Sequence, residues 1–374
     1  MLEPGVIFLN HGSFGACPKV VFDAYQQFQR QLESQPVRFM QRELPQLLAT
    51  SRAKLAEYIG AEHDDVVFVT NPTFAANEIA KSLKLGVGDE VLVSDQEYGA
   101  CHNAWTFMSQ KCGFSIVEQP IRLPVESNEQ MVEDFWSGVT DNTKVIFLSQ
   151  ITSKTALTIP VREICHRARE RGGIITVIDG AHGPAQIDVD MKDIDADFYT
   201  ATCHKWLCAP KGSAFLYARK EVQHLLEPLI VGWGWGPDRL FDSGSDFLDY
   251  HEWLGTHDPS RFLAVPAAID FQAKHHWHEV RERCQQFARE FVRQANELDG
   301  VRRVHADEFY QQLALVELVN GGDEKEIKAN LYDKHRVEVP VFRWSNRVFV
   351  RASWQAYNTN HDVDAAVHAL RETI

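Results

Sequence analysis

Two side chains in this sequence are placed to do covalent chemistry on a carbonyl compound. Asp179 closes the run Ile174-Ile175-Thr176-Val177-Ile178, and Lys205 follows the next apolar run, Phe198-Tyr199-Thr200-Ala201, within Thr202-Cys203-His204-Lys205-Trp206. A lysine partly desolvated in a pocket gives up its proton more readily than one in water, and the free amine condenses with a carbonyl to form an imine. A carboxylate on a neighbouring strand end can hold a pyridine nitrogen protonated, which turns the ring into an electron sink. Alone, neither residue means much, since a lysine beside a histidine is usually surface charge and a strand-terminal aspartate is often a helix cap. Their order and placement single them out.

The elements that must position this pair are legible. A β-branched run without polar alternation is the pattern of a strand covered on both faces of a parallel sheet, and in open α/β sheets ligands sit outside the carboxyl ends of such strands. Val66-Val67-Phe68-Val69, Glu90 to Ser94, Val145 to Leu148 and Gly212 to Tyr217 read as further strands, most of them separated by helical stretches, with polar residues clustering where each stops. After Val69, the turn Thr70-Asn71-Pro72-Thr73-Phe74 opens a helix, so backbone N–H groups and a hydroxyl face any anion placed there. It lacks the spacing of a P-loop. Tyr98, beyond the strand ending at Ser94, can stack on a flat heterocycle. Val348-Phe349-Val350 delivers Arg351, a residue type that grips a carboxylate bidentately. The roles open to Lys205 and Asp179 are those of a pyridoxal phosphate enzyme. The fold class is α/β: a large cofactor-binding domain over 20–260 with a mostly parallel sheet, and a smaller α+β domain from 1–19 and 261–374. Helices are expected from Val20 to about Leu32, Leu44 to Ile59 and Val161 to Arg171, and a long helical stretch from Phe262 to about Leu298.

Composition narrows the partners. The chain has 374 residues, 44% hydrophobic and 24% charged, with a formal net charge of −14. Such acidity argues against a nucleic-acid backbone or an anionic membrane as partner. No apolar run reaches membrane-spanning length and the start has no signal-peptide pattern, so a cytoplasmic protein is expected. The seven cysteines are scattered without a CxxC pair, which fits reduced thiols. In Lys274-His275-His276-Trp277-His278, His275 and His278 are spaced to share a helix face, but there is no HExxH pattern and no metal site is expected. Neither Gx-S-x-G nor GxGxxG occurs, so hydrolase and dinucleotide readings lack their anchors. Arg38 reads as a solvent-facing arginine, and Trp233 and Trp235 lie in a Gly-rich loop of the kind that is usually functional.

From FLNHGSFGACP at the start to VRASWQAYNT near the end, the chain resembles the class V aminotransferase family of fold-type I pyridoxal phosphate enzymes, in particular its isopenicillin N epimerase-like branch. The resemblance implies a large domain built on a seven-stranded-type sheet and a homodimer with shared active sites. It makes Lys205 the imine lysine, Asp179 the partner of the pyridine nitrogen and His182 a neighbour of the cofactor's phenolic oxygen. Thr202 and His204 fall at phosphate positions, Thr73 and the N–H of Phe74 at a phosphate cup, and Tyr98 at the ring-stacking place. Thr256 matches a residue that reaches the partner subunit's phosphate. Arg351 matches the clamp for the substrate carboxylate, with Asn10, His11 and Gly12 at the substrate mouth. Ser153 stands where many relatives carry an asparagine. No cysteine occurs between Arg336 and Val350, where a persulfide-forming desulfurase needs its thiol. Cys203 and Cys208, flanking the lysine, read as small core residues.

The implied activity is an amino-acid transformation through an imine and a Cα carbanion. Reprotonation at the opposite face of Cα is epimerisation and needs a second acid, for which Tyr98 and His182 are the candidates. Loss of a sulfur group from Cβ would make the protein a C–S lyase on cysteine, cystine or a cysteine conjugate. Reprotonation on the cofactor would make it an aminotransferase. A non-catalytic relative acting as a binding protein predicts damage to Lys205 or Asp179, and both are intact.

Overall fold

The strands that carry the polar clusters assemble into one sheet. The computed structural model of the chain describes residues 1–240 and 242–374. After a short β1 (Ile7–Phe8), the chain forms β2 (Val66–Val69), β3 (Glu90–Ser94), β4 (Ser115–Gln119), β5 (Thr143–Ser149), β6 (Ile175–Asp179), β7 (Phe198–Thr202) and β8 (Ala214–Ala218). These seven form a sheet ordered β2-β8-β7-β6-β5-β3-β4. Neighbours are parallel except β8, which runs antiparallel to both β2 and β7. In this register Ser149 lies beside Asp179, and Asp179 beside Thr200.

Side chains alternate between two cores. Val67, Val69, Val91, Val93, Val145, Phe147 and Val177 point to one face, where the helices Pro72–Ser82 and Gly99–Cys112 cover them. Phe68, Leu92, Ile146, Leu148, Ile178 and Tyr199 point to the other and join the core that reaches into the C-terminal region. Covering both faces explains the unbroken apolar runs. The half-exposed edge strand Ser115–Gln119 has no such run, and pattern reading passes over it.

The second sheet, β9 (Val301–Arg303), β10 (Leu313–Leu318), β12 (Val341–Trp344) and β13 (Arg347–Ser353), is antiparallel in the order β12-β13-β10-β9. A short β11 (Val337–Glu338) pairs in parallel with β1, which ties the N-terminus to the C-terminal region. The expected helices appear as Lys19–Ser34, Leu44–Tyr58 and Val161–Arg171, with a π-helical turn over Phe39–Glu43. The long stretch expected from Phe262 is broken. It comprises Ser260–Leu263, Val265–Lys274 and Trp277–Ala295, because His276 adopts a left-handed conformation at φ 48°. His275 and His278 therefore do not share one helix, and His278 pairs with Glu282 instead. Among the described residues no helix is long and apolar enough to cross a membrane.

Candidate active site

At the end of β7 the chain turns sharply, and the N-terminal segment clamps the turn from behind. His11, fully buried, lies 2.9 Å from the backbone carbonyl of Lys205 through Nε2 and 3.1 Å from the Tyr357 hydroxyl through Nδ1. A carbonyl only accepts, so Nε2 carries the proton and the tyrosine donates to Nδ1. Burial drives the His11 imidazole down to about 3, so it stays neutral. Gly15, at φ 71°, passes so close that a Cβ would lie 1.9 Å from the His204 carbonyl oxygen. Only glycine fits there.

Lys205 Nζ, on a half-buried side chain, lies 3.2 Å from Nε2 of His182, which is itself 3% exposed. Burial lowers the lysine to about 8, with Arg351 adding to the effect and Asp179 opposing it. Asp179 is 2% exposed and accepts from the Ala181 N–H at 2.9 Å. Burial raises its carboxyl, against that bond, the Lys205 charge and the Cys101 thiol. No ion pair reaches Asp179 among the described residues. It is a buried acid with no cation in salt-bridge contact to stabilise its charge.

A cavity of about 500 Å³ opens over these groups, lined by Ser13, Phe14, Thr73, Tyr98, Ser153, Asp179, His182, Thr202, His204 and Lys205 among others. Thr202 Oγ1 donates to the Ala181 carbonyl at 2.8 Å. His204 donates Nδ1–H to the Ser213 carbonyl at 3.0 Å, and burial pushes it down to about 4. Thr73 lies in the first turn of the helix opened by Pro72. The Phe74 N–H is already bonded at 2.9 Å to the Asn71 side chain, so a phosphate there must share or displace that cap. Arg351, 6% exposed, donates Nη1 to both the carbonyl and the hydroxyl of Ser153, while its Nε has no partner in the described residues. This set fits pyridoxal phosphate: a buried acid wanting a pyridinium, an amine near neutrality, and hydroxyl and imidazole groups at one end for a phosphate.

Other expected residues fall elsewhere. Asn10 bonds Glu338, and the N–H of Gly12 bonds the Ser353 hydroxyl, so with His11 they back the wall while Ser13 and Phe14 line it. Thr256 lies on an exposed loop away from the cavity lining. Arg38 pairs with Glu43 at 2.8 Å on the surface. Cys203 and Cys208 are core residues. Three groups were not anticipated. Cys101, one helical turn beyond Tyr98, sets its thiol against Asp179, and this i, i+3 spacing was the available signal. Glu97 is buried between the hydroxyls of Ser94 and Ser149. Trp206 bonds His182, a contact no local pattern announces.

A family model for aminotransferase class-V matches residues 7–366. An isopenicillin N epimerase of Amycolatopsis lactamdurans is 35% identical over 386 aligned residues, covering 99% of this chain and 96% of that protein. A putative L-cysteine desulfhydrase 1 of Oryza sativa subsp. japonica is 29% identical, covering 100% of this chain and 84% of that protein. Among solved structures, the cystine C-S lyase C-DES in complex with cysteine persulfide superposes with a TM-score of 0.88 at 19% identity, covering 99% of this chain and 98% of that one.

Proposed function

The chain belongs to the class V aminotransferase family and takes pyridoxal 5′-phosphate as its cofactor, and we propose that it inverts the Cα centre of an amino acid, as an epimerase of the isopenicillin N epimerase type. The observation that carries this reading is the composition of the cavity: Lys205, lowered by burial to about 8, and Tyr98 both line it, and among the described residues no cysteine does. When bound, the cofactor supplies an aldehyde that condenses with amines and a ring that accepts the electron pair left at Cα. The chain supplies the rest. In the loaded protein Asp179 would keep the pyridine nitrogen protonated, Thr73, Thr202 and His204 would hold the phosphate, and Tyr98 would cover the ring. Arg351 would grip the substrate carboxylate, where charge-assisted bonds fix the orientation of Cα. Lys205 removes the Cα proton, and the Tyr98 hydroxyl returns one from the other side. Thr256 completes the phosphate site of a second copy in a homodimer, and a cytoplasmic setting belongs to the same reading.

The desulfhydrase relative, matched along the whole chain, favours a second reading, a C–S lyase acting on cysteine or a cysteine conjugate. An aminotransferase would use the same residues. Incubating the loaded protein in deuterium oxide with a panel of L-amino acids, including cysteine and cystine, and with isopenicillin N, separates the three. The deuterated antipode without loss of amino acid establishes the epimerase. Sulfide with a 2-oxo acid makes the protein a lyase, and a 2-oxo acid with cofactor left in the amine form makes it an aminotransferase.

A further inference from the structure

Trp206 lies behind His182, 1% exposed, with its ring centroid 5.2 Å from that of His11 and 6.3 Å from that of His182. Gln272 fixes its backbone by donating to the Trp206 carbonyl at 2.8 Å. The indole Nε1 lies 3.1 Å from Nδ1 of His182. An indole N–H can only donate, so Nδ1 is the bare nitrogen and a neutral ring carries its proton on Nε2. That nitrogen lies 3.2 Å from Lys205 Nζ. An ammonium group has no lone pair with which to accept an N–H, so the contact is a hydrogen bond only when Lys205 is the free amine.

We infer that Trp206 is a positioning residue: its N–H locks the His182 proton on Nε2, and the locked N–H donates to Lys205 and holds that lysine unprotonated. The inference rests on the reading of Lys205 as the cofactor-bearing lysine. The surroundings agree with it. Burial drives the His182 imidazole well below its ordinary value; among the groups that face it, the Arg351 charge, and that of Lys205 whenever it is protonated, oppose a second proton, while His11 faces it as a neutral ring. Around Lys205, Arg351 acts in the same sense as burial, while Asp179 and Cys101 act against it. A histidine locked in this way has no lone pair facing the cavity. It cannot take the Cα proton, and giving up its Nε2 proton would leave an imidazolate, which leaves Tyr98 as the second acid in the epimerase reading.

The test uses the full-length protein with 15N-labelled histidine, both cofactor-free and loaded, with the His182 signals assigned by their loss in His182→Gln. Two-bond proton–nitrogen correlation should show an unprotonated Nδ1 and a protonated Nε2 in both states. In Trp206→Phe, which keeps a ring and loses the N–H, the other tautomer should appear. Covalent uptake of pyridoxal phosphate by Lys205, followed by visible absorbance, should then run about three- to tenfold slower at neutral pH, its rate–pH curve displaced upward by about half to one unit. A purely structural role would move neither the tautomer nor the curve. A native His182 protonated on Nδ1 would overturn the inference, as would a variant with unchanged tautomer and curve. Should Trp206→Phe fail to fold, the native tautomer decides the matter alone. Borohydride reduction that trapped the cofactor on a different lysine would instead refute the Lys205 reading and leave the tautomer result standing.

Discussion

Asp179, His182 and Thr202 are 2 to 3% exposed, whereas Phe14, Trp233, Trp235 and Tyr98 are 71, 65, 53 and 48% exposed. The first group sits on or within a few residues of a strand end, where the backbone of Ala181, just beyond β6, bonds both Asp179 and Thr202. The second sits on turns and loops around the mouth of the cavity or beyond it. Groups that hold a cofactor must be placed within a fraction of an ångström, and rigid elements do this better than loops. Groups that choose a substrate or meet another copy of the chain do their work when something covers them, and in a lone chain they stand in water. The strand-end region should thus lose chemistry on substitution and the rim should lose selectivity or association.

The sharpest way to break that contrast is Lys205→Ala. Turnover should fall by at least about a thousandfold, with the borohydride-trapped adduct gone. The thermal midpoint should hardly move, because no strand pairing depends on the amine. An intact reducible adduct in this variant would shift the chemistry to another residue and dissolve the contrast.

Next in size is a cost confined to the strand-end region. Burial pushes the Glu97 carboxyl up to about 7 against the two serine hydroxyls that donate to it. The folded value lies above the unfolded one of about 4.5. Between them the native state binds more protons than the unfolded state, so stability should fall as pH rises through this window and stay lower above it. Glu97→Gln should remove that fall, worth about 3 kcal/mol at most, as urea unfolding at the two ends of the window would show. Parallel curves for native and variant protein would mean that Glu97 is ionised at no cost.

The same contrast explains what was legible in the sequence. Lys205 and Asp179 could be read because a strand buried on both faces leaves an apolar run that ends abruptly, and the polar residue after it has one place to go. The sheet, the helix Val161–Arg171 and the Pro72 turn followed from the same local signals. Contacts between distant segments were not legible. The family resemblance puts His11 at the substrate mouth, yet tertiary packing drives its ring under the Lys205 carbonyl. Nothing in the spacing connects Trp206 to a histidine on another strand end, or Arg351 to Ser153. The Phe74 amide looks free until the Asn71 cap is seen to hold it. Strand ends can be read locally; the packing of distant segments against them cannot.

Arg351 bridges the two regions, since it comes from the second sheet and reaches the loop after β5. Arg351→Lys keeps the charge and loses the planar fork, so it should raise KM for an amino acid by about ten- to a hundredfold while changing kcat less. A fall in kcat with KM unchanged would place Arg351 in the bond-making step and extend the chemical region into the second sheet.

The smallest expected effect tests the rim directly. Trp233 is 65% exposed in a loop whose backbone is pinned at Gly234, where a Cβ would come within 1.7 Å of the Asp249 carbonyl oxygen. That pin fixes the loop without help from the indole, so Trp233→Ala should change the stability of the chain by no more than about 0.5 kcal/mol. An indole standing in water on a fixed loop is a good candidate for burial against a second copy. The variant should therefore weaken association of the proposed homodimer in sedimentation experiments while leaving cofactor absorbance at saturating protein concentration unaltered. Loss of the absorbance with the dimer intact would instead put Trp233 over the ring, and the division between a self-sufficient strand-end region and a rim completed by assembly would have to be redrawn at that residue.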